Sequence, residues 1–246
     1  MTQKHPRTAL VTGASRGIGA AIAERLAQDG FAVVVNYVGN EDAANDVVAR
    51  IEAAGGRAIA AQADVQDPAQ VATLFDAAKA AFGIPDVVVN SAGILQLSPL
   101  ADSEDEIFDR MIAINLRGSF NTMREAARRM PDGGRIVNLS TSVVGAKLTG
   151  YGIYAATKAA VEVMGDILSK ELRGRNITVN SVAPGPTATS LFLDGKSDEQ
   201  IEALSKANPL ERLGQPEDIA GAVSFLVGPD GGWINGQTLR ANGGMV

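Results

Sequence analysis

The 246-residue chain has no cysteine and a single histidine, His5. The first absence excludes disulfides, thiolate nucleophiles and cysteine-ligated metals. The second removes a Ser-His-Asp triad, a histidine-held zinc site and a histidine base in a folded cleft, because His5 stands in a polar start. Acid/base chemistry near neutral pH is left to lysine, tyrosine, aspartate or glutamate, and no metal is expected. No window approaches the ~18 apolar residues that span a bilayer, and no signal-type apolar segment follows Met1 to Thr8. A cytoplasmic protein with no membrane partner is therefore expected. Positive charge is scarce: 22 Lys and Arg against 28 Asp and Glu give a net charge of -6, which opposes approach to nucleic acid.

What is present is apolar surface, 46% of residues against 20% charged, enough for one large core. Short β-branched runs alternate with helical patterns. The runs are 9–12, 32–36, 58–62, 87–90, 135–139, 177–182 and 237–240, and the helical stretches between them show three-and-four spacing such as Ile18, Ile22 and Leu26. Strand then helix, repeated, predicts a doubly wound α/β fold, a seven-stranded parallel sheet with helices on both faces. No linker or repeat divides it, so residues 1–246 are expected to form a single dinucleotide-binding and catalytic domain. The least regular stretch, 184–208, follows a strand. It is expected to lie over the site as a substrate loop or lid, since ligands gather at the carboxyl ends of strands.

The first strand runs into Gly13, Ala14, Ser15, Arg16, Gly17, Ile18 and Gly19 and opens a helix. Glycines there allow a sharp turn and close approach to a diphosphate, whose charge the free amides and dipole of the helix start favour. The spacing Gly-x-x-x-Gly-x-Gly differs from the common Gly-x-Gly-x-x-Gly. Dinucleotide sites commonly place an acid after the second strand to hold the adenosine ribose. Here Asn36 and Tyr37 stand instead, with no carboxylate until Glu41. With no acid to repel a 2'-phosphate and Arg16 to attract it, NADP(H) is favoured over NAD(H).

Tyr154 and Lys158 are four apart on one helix face. A nearby ammonium favours phenolate, so the pair can exchange a proton with a substrate oxygen, the phenol being expected below its ordinary pKa of ~10. Upstream, the strand at 135–139 ends in the hydroxyl residues Ser140, Thr141 and Ser142. Ser142 could donate to the same oxygen.

Taken in order, Thr12 to Gly19, Asp64-Val65, Asn90-Ser91-Ala92-Gly93, Asn115, Ser142, Tyr154-x-x-x-Lys158 and Pro184-Gly185 resemble the short-chain dehydrogenase/reductase family from about Arg7 to Gly244. The resemblance implies a Rossmann-type sheet and a catalytic tetrad of Asn115, Ser142, Tyr154 and Lys158. It implies that Asn115 holds a water in a proton relay to Lys158, which also holds the nicotinamide ribose. Asp64 and Val65 would meet the adenine, and Asn90, Ala92 and Gly93 would support the cofactor cleft. Pro184, Gly185, Thr187 and Thr189 would border the nicotinamide. Departures are Ser91 for the usual second Asn, and Asn242 for the usual Asp before Gly243-Gly244. Ser140 is the alternative to Ser142, and Tyr151, seven residues before Lys158, has the spacing of enoyl reductases and is assigned to the substrate wall.

An NADPH-dependent carbonyl reductase acting on a small ketone or aldehyde is the leading expectation. The alternatives are an NAD-linked alcohol or sugar dehydrogenase and a catalytically silent dinucleotide sensor. Arg128, Arg129, Arg173 and Arg175 could form a basic landing surface for an acyl carrier. The small-residue face of Ala155, Ala156, Ala159 and Ala160 suits close helix packing, and the family resemblance implies a homotetramer.

Overall fold

The computed structural model describes residues 7–246, so His5 lies outside the described residues. Seven strands form one parallel sheet: β1 (Thr8–Val11), β2 (Ala32–Tyr37), β3 (Arg57–Gln62), β4 (Val87–Asn90), β5 (Arg135–Leu139), β6 (Thr178–Pro184) and β7 (Thr238–Ala241). Their order is β3-β2-β1-β4-β5-β6-β7. The expected strands are all present, with ends displaced where pairing continues. β2 extends to Tyr37 because Tyr37 still pairs with Gln62, and β6 reaches Pro184 because Pro184 pairs with Ala241.

The helices are α1 (Gly17–Gln28), α2 (Glu41–Ala53), α3 (Pro68–Ala81), α4 (Asp105–Met111), α5 (Gly118–Arg129), α6 (Val143–Ala146), α7 (Gly152–Glu171), α8 (Ser190–Leu193), α9 (Asp198–Ser205) and α10 (Pro216–Val227). Strand side chains alternate between two cores. Ala9, Val11, Val33 and Val35 pack with α1 and α10 residues such as Ile22, Leu26, Ile219 and Val223. Leu10, Val34, Val88 and Ile136 face the other way, against Leu74 and Phe75 of α3 and Met123 of α5. Both faces are covered, which is why the central strands are apolar throughout.

The first three helices start differently. Asn40 caps α2 by accepting from Ala43 N at 2.9 Å, and Asp67 caps α3 by accepting from Ala69 N at 2.8 Å. Helix α1 begins after Arg16 with no side-chain cap at all. Stretch 184–208 is more ordered than its composition suggests. It holds α8 and then α9, the latter closed by a reciprocal capping box between Ser197 and Gln200.

Candidate active site

The strand order reverses between β1 and β4, and a cleft opens at the carboxyl ends there. Its walls come from Gly13 and Arg16 to Gly19, from Ser91 and Gly93, from Leu139 to Val143, and from Tyr151, Tyr154 and Lys158. Pro184 to Thr187 and Thr189 form the opposite side, with Leu191, Phe192 and Leu204 from α8 and α9 above and Met245 from the C-terminal tail. The stretch 184–208 thus borders the cleft.

At one end of the cleft the backbone provides the binding groups. Gly13 and Gly17 hold φ of +61° and +56°, and a Cβ on Gly13 would stand 2.8 Å from Ala92 Cα. The first intrahelical bond of α1 is Ala20 N to Arg16 O at 3.2 Å, so the amides of Gly17, Ile18 and Gly19 precede it. Uncapped amides beside a cleft are a cradle for a diphosphate. Arg16 lines the same cleft, is exposed, and makes no ion pair among the described residues. Ser15 is half-buried in the turn and does not reach the wall.

Asn36, expected as a cofactor contact, has another task. Its Oδ1 accepts from Gly13 N at 3.2 Å while its Nδ2 donates to Ala61 O at 3.2 Å and Ala63 O at 3.0 Å. The buried amide ties the glycine turn to the ends of β2 and β3. Tyr37 is buried beside it, and burial together with Glu41 raises its phenol above the ordinary range. Asp64 accepts from Gln66 N at 2.9 Å, and the carbonyl of Val65 accepts from Asn121 at 2.9 Å. Neither residue lines the cleft described above.

At the other end side chains dominate. Lys158 is buried, its Nζ donating to Leu139 O at 2.7 Å and standing 5.9 Å from the centre of the Tyr154 ring. Burial brings the ammonium down to about 8. Burial also pushes the Tyr154 phenol up to about 12, opposed by a hydrogen bond with Thr141 and reinforced by Tyr151. The expectation of a lowered phenol is therefore reversed in the protein alone, because desolvation by burial dominates. At neutral pH Tyr154 is a proton donor and Lys158 is charged.

Gly93 makes room at this point. A Cβ there would lie 3.3 Å from Asn115 Oδ1 and 3.4 Å from Lys158 Nζ. Asn115 sits in a π-helical turn, Ile112–Arg117, between α4 and α5. Its Oδ1 accepts from Ile94 N at 2.8 Å, and its Nδ2 donates to Ile94 O at 2.9 Å and Thr157 Oγ1 at 3.3 Å. The side chain brackets the Ile94 loop, and its carbonyl takes the Ser119 hydroxyl at 2.7 Å. Asn90 donates to Asn138 Oδ1 at 2.7 Å, and its own Oδ1 is buried without a protein partner. That orphan acceptor, the uncapped amides and the gap at Gly93 together fit a bound dinucleotide.

Ser142 lines the cleft and is also tied into the strand end. Its hydroxyl donates to Ala183 O at 3.1 Å and accepts from Asn242 Nδ2 at 2.9 Å. Asn242 also accepts from Gly244 N at 3.0 Å and Met245 N at 3.2 Å, so it fastens the tail to the strand end. Thr141 lines the same cleft. Thr141 and Met245 were not among the expected site residues. The run of three hydroxyl residues was the only sign of Thr141, and Met245 gave none. The arginines are also placed differently. Helix α5 ends just before β5, so Arg128 and Arg129 lie at the amino edge of the sheet, away from the cleft, paired with Glu125 and Asp76. Arg175 pairs there with Asp132.

The family profile described as Enoyl-(Acyl carrier protein) reductase matches residues 13–246. A short-chain type dehydrogenase/reductase of Picea abies is 49% identical over 98% of this chain and 92% of its own. The chain belongs to the short-chain dehydrogenase/reductase family. It is accordingly an NAD(P)-dependent oxidoreductase. An NADPH-dependent aldehyde reductase 2, chloroplastic, of Arabidopsis thaliana is 48% identical, with 98% of this chain and 94% of that one covered. Among solved structures, a short-chain dehydrogenase from Burkholderia cenocepacia J2315 in complex with NADP superposes with a TM-score of 0.91 at 41% identity, covering 97% of each chain. The dehydrogenase/reductase fold and the Rossmann-type sheet expected from sequence are both present. No helix of the described residues is long and apolar enough to cross a membrane.

Proposed function

We propose that the protein is an NADPH-dependent carbonyl reductase that turns an aldehyde or ketone into an alcohol, with Tyr154 as the acid. The observation that carries this reading is the buried, protonated Tyr154 phenol over charged Lys158, facing a cleft whose far end is an anion cradle. Bound there, the cofactor supplies hydride. The protein's own residues manage the proton and the oxygen. Tyr154 releases its proton to the substrate oxygen, and the Lys158 ammonium stabilises the phenolate left behind. The phenolate is reprotonated by the Lys158 ammonium, and Lys158 takes a proton back from solvent through a water held at the backbone carbonyl of Asn115.

NADPH is preferred over NADH because no carboxylate closes the end of β2 and Arg16 stands unpaired on the cleft wall. Relatives named as NADPH-dependent and neighbours crystallised with NADP support that preference. Leu191, Phe192 and Leu204 make the upper wall apolar and act as a lid over a small apolar substrate. Exposed Phe120 on α5 and Val163 and Ile167 on α7 form an apolar face that suits burial in a homotetramer.

A second reading has a specific support. Tyr151 also lines the cleft, its ring 6.5 Å from that of Tyr154, and the matching family profile is described by enoyl reduction. A panel of aldehydes, ketones and enoyl thioesters, followed by NADPH and NADH absorbance, tests both. Consumption of NADPH with aldehydes or ketones is expected. Turnover of enoyl thioesters alone, or a strong NADH preference, would contradict the proposal.

A further inference from the structure

Lys170 and Lys206 each pair with a carboxylate one helical turn back, Lys170 with Asp166 at 3.0 Å and Lys206 with Glu202 at 2.6 Å. Lys196, between α8 and α9, behaves otherwise. Asp194, Asp198 and Glu199 all stand within three residues of it, yet its ammonium makes no ion pair among the described residues. Gly195 turns the chain at a φ of +78°, and Lys196 N then donates to Leu193 O at 3.1 Å. The side chain runs back over α8, where Nζ stands 4.5 Å from the centre of the Phe192 ring and donates to Phe192 O. Phe192 is thus held twice by one ammonium, through its ring and through its backbone. Phe192 lines the cleft, whereas Lys196 does not.

We propose that Lys196 is a positioning residue that pins the Phe192 ring as a fixed wall of the cleft, and so sets the affinity for an aromatic carbonyl substrate without touching it. The assignment rests on the carbonyl-reductase reading. Helix α8 has only four residues, Ser190–Leu193, too few to hold a helical shape unaided. A cation at its carboxyl end meets the free carbonyls and the negative end of the dipole there, which is where the Lys196 ammonium lies. A ring held in place before the substrate arrives loses little freedom on binding, so the hold favours the complex. An aromatic substrate gains most, because Phe192 can meet it face to edge. Phe192 takes no part in the hydride or proton step, so the benefit belongs to KM and leaves kcat alone.

Lys196→Met keeps the apolar stem and loses the charge, whereas Lys196→Arg keeps a cation for the ring; both are assayed at saturating NADPH with benzaldehyde. Lys196→Met is expected to raise KM about three- to tenfold, with kcat and NADPH binding by fluorescence each within about twofold of the parent. Lys196→Arg is expected to keep KM within about twofold. The effect must run through the ring, so adding Lys196→Met to Phe192→Leu is expected to move KM by less than about twofold. Hydrogen exchange adds a readout without turnover, at the Phe192 and Asp194 amides that donate to Thr189 O and Ser190 O. Exchange there is expected to quicken about three- to tenfold in Lys196→Met and to return to the parent rate in Lys196→Arg. An active parent overturns the assignment alone if Lys196→Met leaves KM or exchange unmoved, if Lys196→Arg behaves as Lys196→Met does, or if the effect persists in Phe192→Leu. A parent that reduces no aldehyde or ketone overturns the functional reading and the substrate role of Lys196 with it.

Discussion

The two ends of the cleft are built on opposite plans. At the β1–α1 turn the ligand-facing groups are backbone amides, and the polar side chain nearest them, Asn36, is spent wholly on holding the turn. At the β5–α7 end the chemistry is in side chains, each held by the backbone: Lys158 on Leu139 O, Asn115 on Ile94, Ser142 on Ala183 O. A backbone cradle depends on what residues lack, chiefly a Cβ. A side-chain site depends on what each group is bonded to. The first is insensitive to most substitutions other than those of glycine, whereas the second can fail through one lost hydrogen bond.

The largest test of this contrast is Lys158→Met. It is expected to lower kcat by ~10² to 10⁴, the range for a disrupted proton-transfer pair, while NADPH binding survives in the backbone cradle. The same variant isolates a pH effect. The folded Lys158 value of about 8 lies below its ordinary 10.5, so the unfolded chain binds more protons between those values. Wild-type stability from this group therefore rises with pH across that window, a gain absent from Lys158→Met in thermal melts at both ends of it. Reduction by the wild type is expected to fall as pH rises through about 8 and the ammonium discharges.

Gly19→Val is the complementary break at the other end. Its Cβ would stand 2.4 Å from Gly13 O, so NADPH binding is expected to fall by about 10²-fold and stability by ~3 kcal/mol, from overpacking. Fluorescence titration and urea unfolding read the two effects. A smaller change sharpens the cofactor side: Arg16→Ala should weaken NADPH by ~10-fold, about 1.4 kcal/mol, and leave NADH alone, compared by Kd. The smallest is Asn242→Ala, which should cost ~1 kcal/mol of stability by leaving Ser142 and the tail amides without a partner. Chemical denaturation measures it.

The two ends also differ in how readable they were. Glycines at Gly13, Gly17 and Gly19 after an apolar strand carry their consequence in residue type alone, and the alternation of apolar runs with helical spacing led to the seven parallel strands. The Tyr154-x-x-x-Lys158 pair was legible for the same reason, since helical spacing sets it on one face. The bonding of Ser142 was not, because it depends on how the chain leaves β5 and on Asn242, a hundred residues later, reaching back to it. The bonds of Asn36 were hidden similarly: the missing acid was visible, but the acceptors at Ala61 and Ala63 come from a neighbouring strand end. The phenol pKa ran against expectation because burial, invisible in a five-residue motif, dominates it.

The central claim is that Tyr154, and not Tyr151, delivers the proton in carbonyl reduction. Single-turnover NADPH oxidation with an aldehyde in Tyr154→Phe and Tyr151→Phe tests it most directly. Tyr154→Phe should lose at least ~10³-fold with NADPH binding retained, and Tyr151→Phe less than ~10-fold. Retained turnover in Tyr154→Phe together with its loss in Tyr151→Phe would contradict the account.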